Sequence, residues 1–239
     1  MSNNSIRTVE PLPPKPEGVP ALTFGAFIYP QMDLLDIMGV LRVFGESHPR
    51  FNTRLILIGE TMDPVVTDQQ VKISPEMTVA EAPYLDYFFM PGGHGTADVI
   101  ANKDLMKLIH KRIEDARWCL TVCTGAAILA ATGLADGRYM TTNKAVWNQF
   151  IDFGPKIKWV KRARWVQDGK FVTSSGVSAG MDMAFYVISQ LYGEDLAKEL
   201  ANWIEYTRHT DAEDDPFSDV YPENRDTPSG VVPTRNSSI

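Results

Sequence analysis

Leu120-Thr121-Val122-Cys123-Thr124-Gly125-Ala126-Ala127 compresses a change of secondary structure into eight residues. Its first three residues are aliphatic or β-branched, as in a buried strand, and from Thr124 onward the small side chains suit a closely packed helix. A strand that stops where a helix begins holds the Cys123 side chain on a tight elbow. There it faces the unpaired N–H groups of the helix start. Those groups and the helix dipole favour an anion, so the pattern predicts a thiol that ionises easily. A buried structural cysteine is the competing reading, since strands often contain one. Cys119, within the strand itself, reads as inert core.

Outward from this elbow the chain alternates strand and helix. Short apolar runs that end in Gly, Pro or polar turns predict strands over 22–28, 54–58, 86–90 and 119–122, with a further short one over 139–142. Residues 159–165 and 170–174, joined through Gly169, predict a hairpin. Apolar spacings of three and four predict helices over 34–47, 104–116, 124–131, 144–151, 178–191 and 195–208. Such alternation implies an α/β fold with a doubly wound, mostly parallel sheet and helices on both faces. Chemistry in these sheets sits at the carboxyl ends of the strands.

Three more segments lie at predicted strand ends. Met90-Pro91-Gly92-Gly93-His94-Gly95 offers glycines that let backbone N–H groups turn inward, as an oxyanion hole requires. His94 is either an acid/base group near the thiol or a solvated loop residue. In Tyr29-Pro30-Gln31-Met32-Asp33-Leu34-Leu35-Asp36, Asp33 is placed to cap a helix. Asp36 faces either solvent or the site; in a dry pocket beside a thiolate its pKa would rise and it could carry a proton. Gly176-Val177-Ser178-Ala179-Gly180-Met181-Asp182 reads as a structural helix start with Ser178 as its cap.

Composition narrows the function. The chain has 239 residues, 44% of them hydrophobic and 22% charged, which suits one sizeable domain. Residues 1–20 contain Pro11, Pro13, Pro14, Pro16 and Pro20 and read as an extended arm; 21–210 form the α/β domain, and 211–239 form an acidic, Pro/Ser-rich tail. The net charge of −7 argues against nucleic acid as a partner. The basic run 158–164 alternates like a solvated strand face. No apolar stretch spans a bilayer and no signal-peptide core is present, so no membrane partner is expected. Two cysteines form no zinc or disulfide framework, and with unpaired thiols the cytoplasm is the expected location.

Taken in order, Tyr29-Pro30 with Leu35-Asp36, Pro91-Gly92-Gly93, Val122-Cys123-Thr124-Gly125, Thr141-Thr142 and Val177-Ser178-Ala179-Gly180-Met181-Asp182 resemble the ThiJ/PfpI superfamily across residues 22–217. The branch they look most like is the isocyanide (isonitrile) hydratases. The resemblance implies a flavodoxin-like fold, a homodimer and a cofactor-free site that takes a small-molecule substrate, with no metal. It implies Cys123 as nucleophile and Asp36 as its acidic partner. The amides of Gly93 and Thr124 would bind the anion, with the Thr124 side chain lining the pocket. Many relatives carry a histidine after the paired threonines, where this chain has Asn143, so a mechanism that needs that base loses support. Val40 and Arg42 replace the proline and acidic residue often found after Gly39.

Four functions follow as expectations. The first is hydration of an isonitrile to an N-formamide. A glyoxalase-like conversion of methylglyoxal to lactate would need His94 or Asp36 as its base. A redox sensor would use the same thiol without turnover. A specialised metabolite enzyme would use Tyr29, Trp147 and Tyr206 to shape its pocket, where they otherwise read as core.

Overall fold

The computed structural model describes residues 22–45 and 53–229. Eleven strands are formed among them: β1 (Leu22–Phe27), β2 (Thr53–Gly59), β3 (Val65–Val66), β4 (Lys72–Ile73), β5 (Met77–Thr78), β6 (Tyr87–Met90), β7 (Trp118–Thr121), β8 (Tyr139–Met140), β9 (Lys158–Trp159), β10 (Trp165–Asp168) and β11 (Phe171–Ser174). The helices are α1 (Leu34–Phe44), α2 (Thr96–Ala101), α3 (Lys103–Asp115), α4 (Gly125–Ala131), α5 (Trp147–Phe150), α6 (Ala179–Tyr192), α7 (Glu194–Trp203) and α8 (Phe217–Val220). Seven strands make the central sheet in the order β10-β11-β7-β6-β1-β2-β5. Every pairing in it is parallel except β10 with β11. The sheet is therefore mostly parallel, as the alternation predicts, and the fold is the flavodoxin-like one that the resemblance implies.

All residues of β6, β7 and β11 are buried, which a parallel sheet allows only when both faces are covered. The helices pack in two groups, α1 with α6 and α7, and α2 with α3 and α4. Phe24, Phe44, Tyr87 and Phe89 form one aromatic cluster in the core, with ring centroids 4.7–5.8 Å apart. Each such ring contributes roughly 1.5–3 kcal/mol by leaving water. Helix ends follow local chemistry. Asp33 caps α1 by accepting from the Leu35 and Asp36 amides, and Asn102 caps α3 through Leu105. Lys170 donates to the carbonyls of Ile113, Glu114 and Ala116 and so closes the other end of α3.

Several predicted boundaries shift. The hairpin pairs Trp165–Asp168 with Phe171–Ser174, so its first strand starts where the sequence pattern ended it. The basic run 158–164 is not a solvated strand face. Only Lys158 and Trp159 are in a strand, and Arg164 is buried against the equally buried Asp182. Helix α1 closes at Gly45, whose amide bonds Leu41 O, and residues 46–52 lie outside the described set. The helix predicted over 144–151 shrinks to α5 and a 3-10 turn at Ile151–Phe153, because Lys144 turns inward instead. Helix α7 ends at Trp203, and Tyr206 instead bonds Asp182. The 1–20 arm falls outside the described residues. Of the tail, 211–229 packs back on the domain through the buried Asp215, Ser218 and Asn224.

Candidate active site

Four neighbouring parallel strands, β11, β7, β6 and β1, deliver their carboxyl ends to one place. From them come, in turn, Ser175 to Val177, Cys123, the Pro91 to Gly95 loop and the loop that leads to Asp36. Cys123 has φ +55°, a left-handed backbone unusual for a side chain this size. Three bonds hold it there: its N–H to Ser175 O (3.0 Å), its carbonyl to the Thr142 hydroxyl (2.7 Å), and the Val122 N–H to Met90 O (3.2 Å). Gly125 lets the elbow sit directly against β6, since a Cβ there would lie 2.3 Å from Met90 O. A strained side chain fixed from several sides is an arrangement often found at reactive centres.

Three donors face the sulfur. Asn143 Nδ2 lies 3.0 Å from Sγ, and the backbone amides of Thr124 and Val177 also favour the thiolate. Asn143 is oriented by its own Oδ1, which accepts from the Ala145 N–H at 2.8 Å. Val177 has φ +36°, a costly conformation for a β-branched residue, and it is this turn that aims its amide at the thiol. Burial works the other way. It pushes the Cys123 pKa well above the ordinary thiol range, and the Asp36 charge adds to the rise. The expectation of an easily ionised thiol is thus corrected. The amides converge as read, but burial makes the sulfur hold its proton, and it does so more tightly still unless the neighbouring carboxylate is neutral.

Asp36 meets that condition. It is fully buried, and burial, followed by the charge of Asp33, raises its pKa from 3.8 to about 8. Gly92 N–H donates to Oδ2 at 2.7 Å, which opposes the rise, as does the Cys123 thiol. Oδ1 is buried without a well-directed partner. At neutral pH the acid form dominates, and a proton is held beside the sulfur.

Gly93 is placed at the site in a different role from the one read. Its N–H donates to Thr124 Oγ1 at 3.0 Å, so that amide is already engaged, and Val177 supplies the second amide facing the sulfur. Its φ is +138°, and a Cβ would lie 2.3 Å from Gln31 O, so only glycine lets the two loops touch. The Thr124 hydroxyl lies 2.7 Å from that of Thr96, which in turn lies 3.1 Å from Tyr29 OH, making a buried chain of hydroxyls under the site. His94 turns outward. Its side chain is 60% exposed and its Nδ1 lies 2.9 Å from Asp68 Oδ2. Trp147 is tied elsewhere, to Arg225 O, as a core residue, and the half-buried Tyr206 is tied to Asp182 at the edge of the core. Sequence reasoning flagged Asn143 only as a missing histidine, and it took the Val177 segment as structural. A polar residue following paired threonines was the one available signal for Asn143; a strained amide leaves none. Among the described residues, no group of three or more His, Cys, Asp or Glu side chains could hold a metal ion, and no helix is long and apolar enough to cross a membrane.

The mostly parallel, flavodoxin-like sheet that carries this site is shared with known proteins. The chain belongs to the DJ-1/PfpI family, whose model matches residues 26–190. It is 30% identical to an isonitrile hydratase of Pseudomonas putida over 213 residues, covering 89% of this chain and 87% of that protein. It is 27% identical to the Parkinson disease protein 7 homolog of Danio rerio, covering 58% of this chain and 74% of the relative. A crystal structure of a ThiJ/PfpI family protein from Pseudomonas syringae matches with a TM-score of 0.71 and 26% identity, covering 86% of this chain and 84% of that one.

Proposed function

We propose that this protein is a cofactor-free enzyme that adds water to a small carbon electrophile, with an isonitrile as the model substrate and an N-formamide as the product. The observation that carries this reading is Asp36, held as a neutral acid beside the Cys123 sulfur, at which three donors point to oppose the rise that burial imposes on its pKa. The 30% identity to an isonitrile hydratase across most of both chains supports the choice of substrate class.

In its ionised form Cys123 attacks the terminal carbon of R–N≡C and forms a C–S bond, while Asp36 gives its proton to that carbon. The resulting thioimidate, R–N=CH–S, takes up water: hydroxyl adds to carbon and a proton to nitrogen. The hydroxyl proton then passes to ionised Asp36 as the C–S bond breaks. This releases R–NH–CHO and restores both thiolate and acid. Asn143 Nδ2 and the Thr124 and Val177 amides stabilise sulfur at the start and as it leaves. A glyoxalase reading needs a base to move a proton between carbons. The outward His94, bound to Asp68, and the amide of Asn143 lend it no support. Incubating purified protein with an alkyl isonitrile and following N-formamide by proton NMR tests the proposal. Turnover that disappears in Cys123→Ala supports it; no formamide from the wild type refutes it.

The active form is proposed to be a homodimer that uses the exposed Leu35 and Met38 of α1. Sedimentation at twice the 26.7 kDa chain mass is the expected result.

A further inference from the structure

Lys144 is 1% exposed, and its ammonium touches five oxygens. These are Thr141 Oγ1 (2.8 Å), Thr142 O (2.9 Å), Ala163 O (3.1 Å), Ser175 Oγ (3.1 Å) and Asp215 Oδ2 (3.1 Å). An ammonium carries three protons, so this cage holds more acceptors than a neutral amine could use and suits the charged form. The Asp215 contact is ionic rather than a well-directed hydrogen bond. Asp215 is itself fully buried and comes from the segment between α7 and α8.

The proposed chemistry makes no use of this pair, yet the pair lies directly behind the reactive centre. Two residues of the cage hold the Cys123 backbone: the Thr142 hydroxyl donates to Cys123 O, and Ser175 O accepts from Cys123 N–H. Between Thr142 and Lys144 stands Asn143, the side-chain donor to the sulfur. The same segment is gripped a second time, because Asn224 Nδ2 donates to Lys144 O at 2.7 Å. The ammonium thus joins the segment after β8 to the segment after β11, and each of these holds the Cys123 backbone.

We infer that Lys144 and Asp215 are positioning residues for the Cys123 thiolate: the buried ion pair fixes Asn143 against the sulfur and supplies a positive charge behind it, which makes the C-terminal segment part of the active site. The inference rests on Cys123 being the reactive group, not on which electrophile it attacks. The charged and titratable groups that bear on Cys123 are Asp36 from α1, Tyr29 after β1 and Lys144 after β8. Those that bear on Lys144 are Asp215, Cys123 and Arg164. Burial lowers the Lys144 pKa to about 8, and Asp215 and Cys123 oppose this, so the charge persists at neutral pH because the pair is intact.

The test is the pH profile of Cys123 alkylation by iodoacetamide, read on the Cys123 peptide by mass spectrometry in the full-length protein. No substrate is required, so failure here is separable from failure of the hydratase reading. Asp215→Asn, and the double variant Lys144→Met with Asp215→Leu that removes both charges together, are expected to slow alkylation at pH 7.5 by about tenfold and to move the midpoint upward. Far-ultraviolet circular dichroism should be unchanged. A purely structural role predicts a lower Tm with the alkylation profile of the folded protein unmoved, and that result overturns the inference. Should neither variant fold, the wild type decides through carbon-13 labelled lysine. Alkylating Cys123 must lower the Lys144 titration midpoint, and an unmoved midpoint overturns the inference.

Discussion

Asn143 Nδ2 points at Cys123 Sγ from 3.0 Å, while Asn143 Oδ1 is held by the Ala145 amide. The side chain is therefore locked with its donor end toward sulfur, and a neutral amide stands where a base could have stood. A donor to an anion is worth about 1.5–3 kcal/mol, so Asn143→Ala should lower kcat roughly 10–100-fold. KM for a small uncharged substrate should change little. Steady-state kinetics with an alkyl isonitrile provides the check.

Asp36 gives a prediction about pH with a definite sign. Its folded pKa of about 8 lies above the ordinary carboxylate value of 3.8, so between those limits the folded state binds the extra proton. Stability contributed by the acid form is present at low pH and is lost as pH rises toward 8, by at most about 1.4 kcal/mol per unit. Asp36→Asn should flatten this slope in urea denaturation series run from pH 4 to pH 8.

The same substitution separates acid from nucleophile. Without the Asp36 charge the sulfur loses a repulsive neighbour, so above pH 8 alkylation of Cys123 should be faster in Asp36→Asn than in the wild type. Turnover should fall by about 10²-fold or more, because the proton donor is gone. Parallel alkylation and kinetic assays on one preparation would expose any failure of this split.

His94→Ala should leave isonitrile hydration within about twofold of the wild type, as expected for an exposed ring bonded to Asp68. A loss comparable with that of Asp36→Asn would return His94 to the chemistry and revive the glyoxalase alternative.

Gly93→Ala should destabilise by roughly 2 kcal/mol or more, since φ is +138° and the new Cβ meets Gln31 O and Met32 Cα. The loss should show as a lower urea midpoint.

The parts of the site legible in the sequence are those written in consecutive residues. The Cys123 elbow, the Gly92-Gly93 loop and the Asp33 cap each combine a strand end with small or turn-forming side chains, and local sterics fix what such strings can do. The fold class followed from the same alternation. What stayed hidden was set by contacts between distant segments. Asn143 reaches Cys123 across 20 positions, and the Lys144 ion pair spans the distance to Asp215. The thiol pKa was misread because the amide field is local whereas burial is a property of the whole fold. The hairpin slipped because Lys158 to Arg164 alternates like a strand, yet Arg164 is drawn inward by Asp182, a partner on α6.

The most direct measurement is the intact mass of protein quenched with acid within milliseconds of mixing with excess isonitrile, followed by peptide mapping. If a neutral acid hands its proton to carbon as sulfur bonds to it, a fraction of the wild type must gain the mass of one substrate molecule on the Cys123 peptide, and this adduct must decay at the rate at which formamide appears. Formamide released at full rate with no mass ever found on that peptide would contradict the account.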